Sequence, residues 1–319
     1  MGRIKFLSGK KIEELSDLER EAYFKELRDI SLSLPIKKKL EIARRALATM
    51  CPMLNGIEVE LRGVENVPKN DSAIFACNHS NAHDMYTTQE TFHRLGRIVS
   101  TFAGSDCLSP FAKTAFSLLN TTFVDRLDKE SGKTATCELI NRVSNGQDIC
   151  IFPEATWNIH PQKPMHDIKL GSANIGAASG KLVVPMNYEY VEIPDIVKKE
   201  SEIFEKVIVT FGNPIKIDPR LSMINQTVLI QKALTAIRLN TWRELGIDKT
   251  HLSDRDIEVY LNHTYYKKFG AFAFEYDSAY EAQFLYSNDG MPVENEYHLD
   301  SQGQFVPGVT LKRKNTKNA

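Results

Sequence analysis

The stretch AIFACNHSNAHDMYTT, residues 73–88, indicates the fold class of this chain. It begins as a short apolar run typical of a buried strand and passes through a polar turn into the start of a helix. Outward from it, further β-rich runs begin near residues 57, 97, 148, 182 and 206, and stretches long enough for a helix separate several of them. This alternation predicts an α/β fold with a mixed, largely parallel sheet covered by helices.

The two ends of the chain differ from this alternating body. Residues 1–54 contain two helical patterns, and the second, over residues 36–50, carries five cations beside an apolar face: Lys37, Lys38, Lys39, Arg44 and Arg45. After about residue 250 the sequence turns polar and aromatic and ends in a basic tail. We therefore predict an N-terminal helical segment (1–54) able to associate with a membrane, an α/β domain (55–248) and a C-terminal extension (249–319) of unassigned role.

The composition is that of a folded protein without a global charge. Forty Lys and Arg residues face 41 Asp and Glu residues, for a net charge of −1. A balanced chain has no general field that gathers nucleic acid, so we expect no nucleic-acid partner. The five cysteines form no CxxC pair, and no stretch resembles a signal peptide or a membrane span. These features favour a reducing, cytoplasmic location.

His79 and Asp84 lie five residues apart at the end of a predicted strand, where α/β folds commonly place their sites. Five residues of helix correspond to a rotation of about 140°, so the two side chains meet only if His79 precedes the helix and Asp84 lies in its first turns. A carboxylate bonded to one imidazole nitrogen fixes the tautomer and makes the other nitrogen a better base. The spacing therefore fits a general base for an alcohol, and it also fits a histidine with a structural role.

Two other kinds of active site are the alternatives: a metal site built on the same stretch and a serine hydrolase. His79 and His83 have the spacing of a two-histidine metal site, with Asp84 as a third ligand. The glutamate that such a motif carries after its first histidine is replaced by Ser80, and no further ligand cluster stands out, so we expect no metal. The chain also lacks a GxSxG string, which argues against a covalent serine hydrolase.

Three more charged residues follow β-like runs. Arg126 comes just beyond TTFV, where a guanidinium group can clamp an anion, and Lys169 in IKLG is a second candidate cation. Glu154 follows the run DICIFP, where it can accept a hydrogen bond from a substrate hydroxyl or align backbone donors. Each residue taken alone is equally compatible with a surface ion pair, a helix cap or a solvated turn.

Four strings, taken in order, resemble the four blocks of the glycerolipid acyltransferases, also called PlsC-like or lysophospholipid acyltransferases. They are NHSNAHD (78–84), TTFVDR (121–126), FPEAT (152–156) and VVPMNY (183–188). IKLG and FGNPI (211–215) resemble two further steps of the family, and the likeness spans roughly residues 55–220. It implies an O-acyltransferase of phospholipid biosynthesis that moves a fatty acyl group from acyl-CoA or acyl carrier protein to a hydroxyl of a lysophospholipid.

The resemblance also implies roles for individual residues. His79 matches the general base and Asp84 the carboxylate that orients it, while Arg126 matches the arginine that holds the acceptor's phosphate. The substrate-binding residues implied in this way are Arg126, Glu154, Thr156, Trp157 and Lys169. The expected partners are a membrane lipid surface, a lipid acceptor and, as a possible donor, acyl carrier protein. No cofactor or metal is expected to be bound, and the location implied is cytoplasmic and peripheral, on the inner face of the membrane.

The third block departs from the family pattern FPEGTRS. Ala155 stands where the family has glycine, and Trp157 stands where it has an arginine that also binds phosphate. An indole cannot neutralise a phosphate, but it can stack on a sugar or line an apolar pocket. A glycolipid or another acceptor without a phosphomonoester therefore stays open beside lysophosphatidic acid. A non-catalytic lipid-binding module on the same scaffold is the alternative from another functional class.

Overall fold

The computed structural model describes residues 58–80, 83–104, 116–117, 119–125, 128–155, 157–158, 163–192 and 204–247. It also describes the isolated positions 16, 19, 22 and 38 and the backbone of residues 297–299 and 305–307. Apart from those isolated positions, the two helical patterns predicted within residues 1–54 lie outside the described residues, as does the basic C-terminal tail, so these predictions remain predictions. Within the described part of the chain, no helix is both long enough and apolar enough to cross a membrane.

Strands and helices alternate through the body of the chain. The strands are β1 (Glu58–Arg62), β2 (Ile74–Cys77), β3 (Val99–Gly104), β4 (Thr121–Val124), β5 (Asp148–Ile151), β6 (Leu182–Glu192), β7 (Phe204–Phe211), β8 (Ile215–Lys216), β9 (Tyr297–Leu299) and β10 (Phe305–Pro307). The helices are α1 (Asp84–Arg94), α2 (Lys129–Ser144), α3 (Gly171–Ser179) and α4 (Met223–Glu244). Strands β9 and β10 form a separate antiparallel pair within the C-terminal extension.

The first eight strands form one sheet. Its order is β1-β7-β6-β2-β5-β3-β4, and β8 pairs with the start of β6. Strands β6, β2, β5, β3 and β4 run parallel to one another, whereas β7 is antiparallel to β6 and β1 is parallel to β7. The prediction of a mixed, largely parallel sheet covered by helices is confirmed. The order also places the carboxyl end of β2 between those of β5 and β6.

Apolar side chains cover both faces of the sheet. In β2, Ile74 and Ala76 pack into the apolar layer on one face, together with residues of α2, α3 and α4. Phe75 and Cys77 point into the layer on the other face, where the ring of Phe92 from α1 meets Phe75 edge-on at 4.7 Å. Burial on both faces explains why β2 is apolar along its whole length rather than alternating.

Helix α1 buries mainly polar side chains against the sheet. The buried polar residues include Asp84, Thr87, Thr88 and Thr91. Phe92 is a large apolar residue of α1 and is also buried. Hydrogen bonds of these polar side chains therefore contribute to the position of α1, beside the apolar contacts of Phe92 and Met85. The carboxylate of its first residue belongs to the site described next.

Candidate active site

The loop between β2 and α1 brings His79 and Asp84 into contact. Nδ1 of His79 lies 2.7 Å from Oδ2 of Asp84, which also accepts a hydrogen bond from the backbone N–H of Ser80 at 2.8 Å. Asp84 is the first residue of α1 and His79 precedes the helix, the arrangement that their five-residue spacing requires. Because an ionised carboxylate only accepts hydrogen bonds, this contact assigns the ring proton to Nδ1 and leaves the lone pair of Nε2 available as a base.

Two aromatic rings flank the imidazole. Phe152 stacks on His79 with 4.4 Å between ring centroids, and Trp157 meets the imidazole edge-on at 5.8 Å. The side chain of Asp84 is fully buried, while that of His79 remains 19% exposed. The imidazole is therefore held beside two aromatic rings but stays accessible.

Glu154 joins two loops through their backbones. Its Oε1 accepts a hydrogen bond from the N–H of His79 at 2.8 Å, and its Oε2 accepts one from the N–H of His166 at 2.7 Å. Of the two roles suggested by the sequence, the structure therefore shows the alignment of backbone donors. Burial raises the pKa of the Glu154 carboxyl to about 7, against the opposing effect of these two backbone bonds.

The loop that follows β5 is tied to the site at several other points. The N–H of Asn158 donates to the carbonyl oxygen of His79 at 2.6 Å, and the N–H of Lys169 donates to that of Pro153 at 2.8 Å. Ala155 has a φ of 62°, in the left-handed region. That region costs a residue with a Cβ roughly 1–2 kcal/mol, which explains why a glycine suits this position.

The structure describes only some of the other residues that the sequence indicated for the site. Lys169 is partly buried, and this burial lowers the pKa of its ammonium group. Arg126 and Thr156 lie outside the described residues, so their expected contacts with substrate stay predictions. His83 precedes α1, and burial lowers the pKa of its imidazole. Among the residues that the structure describes, no group of three or more His, Cys, Asp or Glu side chains could hold a metal ion.

Two residues at the site were not identified from the sequence. The amide of Asn78 binds both backbone groups of Tyr188 on β6, accepting from its N–H at 2.7 Å and donating to its carbonyl oxygen at 3.0 Å. The hydroxyl of Tyr190 donates to Oδ1 of Asp84 at 2.7 Å. Asn78 is the first residue of the string NHSNAHD, whereas Tyr190 lies two residues beyond VVPMNY. No local spacing connects β6 with the loop after β2.

Comparison with known proteins identifies related sequences. Residues 58–189 match the sequence model of the family described as Acyltransferase. A curated relative is the 1-acyl-sn-glycerol-3-phosphate acyltransferase of Borreliella burgdorferi, 29% identical over 154 residues, which are 46% of this chain and 56% of that protein. The chain thus matches little more than half the length of this relative.

A solved structure also resembles the chain. It is the crystal structure of the 1-acyl-sn-glycerophosphate (LPA) acyltransferase, PlsC, from Thermotoga maritima. The sequence identity is 20% and the TM-score is 0.46, and the match covers 76% of this chain and 87% of the other.

Proposed function

We propose, on the premise that residues 58–189 match the sequence model of the acyltransferase family, that this chain transfers a fatty acyl group from an acyl thioester to a hydroxyl of a lysophospholipid. The family match confirms the resemblance first seen in the four sequence blocks. The observation that carries the proposal is the 2.7 Å contact between His79 and Asp84, because it leaves one imidazole nitrogen free to take a proton.

The proposed reaction needs one base and no nucleophile from the protein. The acceptor hydroxyl attacks the thioester carbonyl while Nε2 of His79 takes the hydroxyl proton. Asp84 stabilises the imidazolium that forms, as a carboxylate bonded to Nδ1 does. The tetrahedral intermediate then collapses, the C–S bond breaks, and the thiolate leaves and takes the proton from Nε2. The products are an ester and a free thiol, and His79 returns to its starting state.

Glu154 has a positioning part in this proposal. Its two backbone hydrogen bonds hold the loop of His79 against the loop of His166. Arg126 and Lys169 are the proposed cations for an anionic headgroup, and Thr156 is a proposed substrate contact. A guanidinium or ammonium group binds any phosphate by its negative charge. Our proposal is therefore compatible with either a phosphomonoester or a phosphodiester in the acceptor.

Lysophosphatidic acid is the first acceptor we propose, since the curated relative is named for 1-acyl-sn-glycerol-3-phosphate. A glycolipid is the second, and the proximity of Trp157 to His79 supports it because an indole stacks well on a sugar ring. The proposed donor is acyl-CoA or acyl carrier protein. We further propose that the protein works in the cytoplasm, peripherally on the inner face of a membrane.

The decisive experiment compares the purified wild type with the His79→Ala variant. Each is given labelled acyl-CoA or acyl carrier protein and a panel of lysophospholipids and glycolipids, and the acylated products are identified by mass spectrometry. Loss of a general base is expected to lower turnover by at least 10² to 10⁴, on the order of magnitude typical of such groups. His93→Ala is the matched control, because His93 is exposed at the far end of α1.

Three outcomes separate the possible functions. A product made by the wild type and His93→Ala but not by His79→Ala supports the proposal and identifies the acceptor. Wild-type turnover by His79→Ala rejects His79 as the base. Vesicle binding without a product from any donor and acceptor favours the non-catalytic lipid-binding module.

A further inference from the structure

Tyr190 reaches the carboxylate of Asp84 from β6. Its hydroxyl donates to Oδ1 of Asp84 at 2.7 Å and lies 2.8 Å from Oγ1 of Thr87, one turn along α1. Oδ2, the other oxygen of the same carboxylate, bonds to Nδ1 of His79 and to the N–H of Ser80. The two oxygens of Asp84 are therefore held from opposite sides.

The direction of each hydrogen bond follows from the chemistry of the groups. An ionised carboxylate can only accept, so the single hydroxyl proton of Tyr190 is directed to Asp84. The oxygen of Tyr190 is then the acceptor for Thr87, whose hydroxyl must donate. The result is a chain in which Thr87 donates to Tyr190, Tyr190 donates to Asp84, and His79 donates to the other oxygen of Asp84. The two hydrogen bonds from Thr87 through Tyr190 to Asp84 run in one direction and strengthen one another, and the bond from His79 meets them at the carboxylate.

Tyr190 keeps its proton in this environment. Burial raises the pKa of its phenol well above the usual value, and the adjacent Asp84 raises that pKa further. The side chain of Asp84 is fully buried, so solvent has little access to replace a donor that is removed. Without the Tyr190 hydroxyl, Oδ1 of Asp84 would lose this hydrogen bond, and the terminal torsion angle of the carboxylate would be less restrained.

We propose that Tyr190 is a positioning residue of the His79–Asp84 base, holding the carboxylate in the plane that meets Nδ1 of His79. This proposal rests on the proposed function, because it assigns Tyr190 a part in the same proton transfer. Tyr190 touches no reacting atom and acts through Asp84. Hydrogen-bond partners that orient metal-ligating side chains typically change metal affinity or activity by 10- to 100-fold, and we expect a similar magnitude where Tyr190 orients Asp84.

Tyr188 offers a matched control two residues earlier on β6. Side chains two apart on a strand point to the same face, so Tyr188 also reaches α1. Its hydroxyl donates to Oγ1 of Thr88 at 2.9 Å, and Thr88 in turn donates to the backbone carbonyl of Asp84. Tyr188→Phe therefore removes a buried hydrogen bond to the same helix without touching the carboxylate.

The first test is kinetic. Tyr190→Phe is expected to lower kcat by about 10- to 100-fold with KM for the acceptor unchanged, because the base is disturbed and the binding groups are not. Tyr188→Phe is expected to keep kcat close to that of the wild type. Its melting temperature is expected to decrease by about as much as that of Tyr190→Phe. Equal kcat values for the two variants would overturn the proposal.

If Tyr190→Phe does not fold, Thr87→Val takes its place. This variant removes only the hydroxyl that donates to Tyr190, so it is expected to give a smaller decrease in kcat.

The second test does not depend on activity. The proton between Nδ1 of His79 and Asp84 is observed by NMR in wild type, Tyr190→Phe and Tyr188→Phe, and its signal is assigned with His79→Ala. We expect the signal to shift or broaden in Tyr190→Phe alone. An unchanged signal in Tyr190→Phe would overturn the proposal even if the protein is an active acyltransferase. A changed signal in a protein that transfers no acyl group would support the hydrogen-bond chain and reject the proposed function.

Discussion

Trp157 lies beside the proposed base, where the family pattern has an arginine. Its indole meets the imidazole of His79 edge-on, with 5.8 Å between ring centroids. The residue at this position therefore contributes to the walls of the acceptor site in our proposal. Charge and shape at residue 157 would then determine which headgroup is accepted.

Replacing Trp157 by arginine tests this assignment. Trp157→Arg is expected to raise kcat/KM for lysophosphatidic acid relative to a glycolipid with the same acyl chain by about tenfold or more, since a charge-assisted hydrogen bond contributes about 1.5–3 kcal/mol. The ratio of the two kcat/KM values is the quantity to measure. Trp157→Phe is the control, because it keeps an apolar ring and should keep the wild-type ratio. An unchanged ratio in Trp157→Arg would place residue 157 outside the acceptor site.

At the scale of secondary-structure elements, the buried carboxylate of Glu154 links the segment between β5 and α3 to the loop that precedes α1. Glu154 accepts backbone hydrogen bonds from His79 and His166, and burial raises the pKa of its carboxyl from 4.5 to about 7. Between those two pH values the folded protein retains a proton that the unfolded chain has lost. The contribution of Glu154 to stability must therefore fall as the pH rises through this window.

This sign gives a prediction for unfolding experiments. Between pH 4.5 and pH 7, the free energy of unfolding of the wild type should fall relative to that of Glu154→Gln by up to about 3 kcal/mol. The glutamine variant cannot ionise, so it lacks this contribution. It should also be less stable than the wild type at low pH, because its NH₂ group faces a backbone N–H donor. Denaturant titrations at several pH values measure both effects, and parallel pH dependences would contradict the assignment.

Strand β6 connects the site to the sheet. Its first half pairs with β2 and its second half pairs with β7, so it continues past the end of β2. The amide of Asn78 binds the N–H and the carbonyl of Tyr188, as a peptide group of β2 would if that strand continued. The loop with His79 therefore leaves the sheet from a fixed point, and Tyr190 follows two residues later on the same strand.

At the scale of the whole molecule, the proposed function requires the domain to reach a lipid surface. The described residues contain no helix able to cross a membrane. The amphipathic pattern over residues 36–50 lies largely outside them and carries five cations. Each cation near an anionic membrane contributes about 1 kcal/mol, so we propose that this segment holds the protein at the surface.

Reversing charges tests this proposal. The triple variant Lys37→Glu, Lys38→Glu, Lys39→Glu should bind anionic vesicles at least about a hundredfold more weakly at low ionic strength. Sedimentation with anionic and neutral vesicles measures the binding. The control reverses three exposed lysines elsewhere, Lys69, Lys129 and Lys232, and has the same net charge. An equal loss in both variants would show that the net charge, rather than the N-terminal segment, determines binding.

The sequence by itself determined the features that depend on neighbouring residues. The apolar runs and their spacing predicted the strands and the mixed, largely parallel sheet. A strand that is buried on both faces has apolar residues along its whole length, so its sequence shows a continuous apolar run. The contact of His79 with Asp84 was also accessible, since only five residues and one turn separate them. The order of four short strings was enough to indicate the family.

Only the tertiary structure decided which distant residues complete the site. Glu154 lies 75 residues from His79, and Tyr190 lies 106 residues from Asp84. They meet because β5 and β6 flank β2, and no local pattern encodes which strands become neighbours. The positive φ of Ala155 and the approach of Trp157 to His79 likewise arise from how the loops close over the sheet. Local periodicity records how each segment is buried, whereas these contacts depend on the packing of the whole chain.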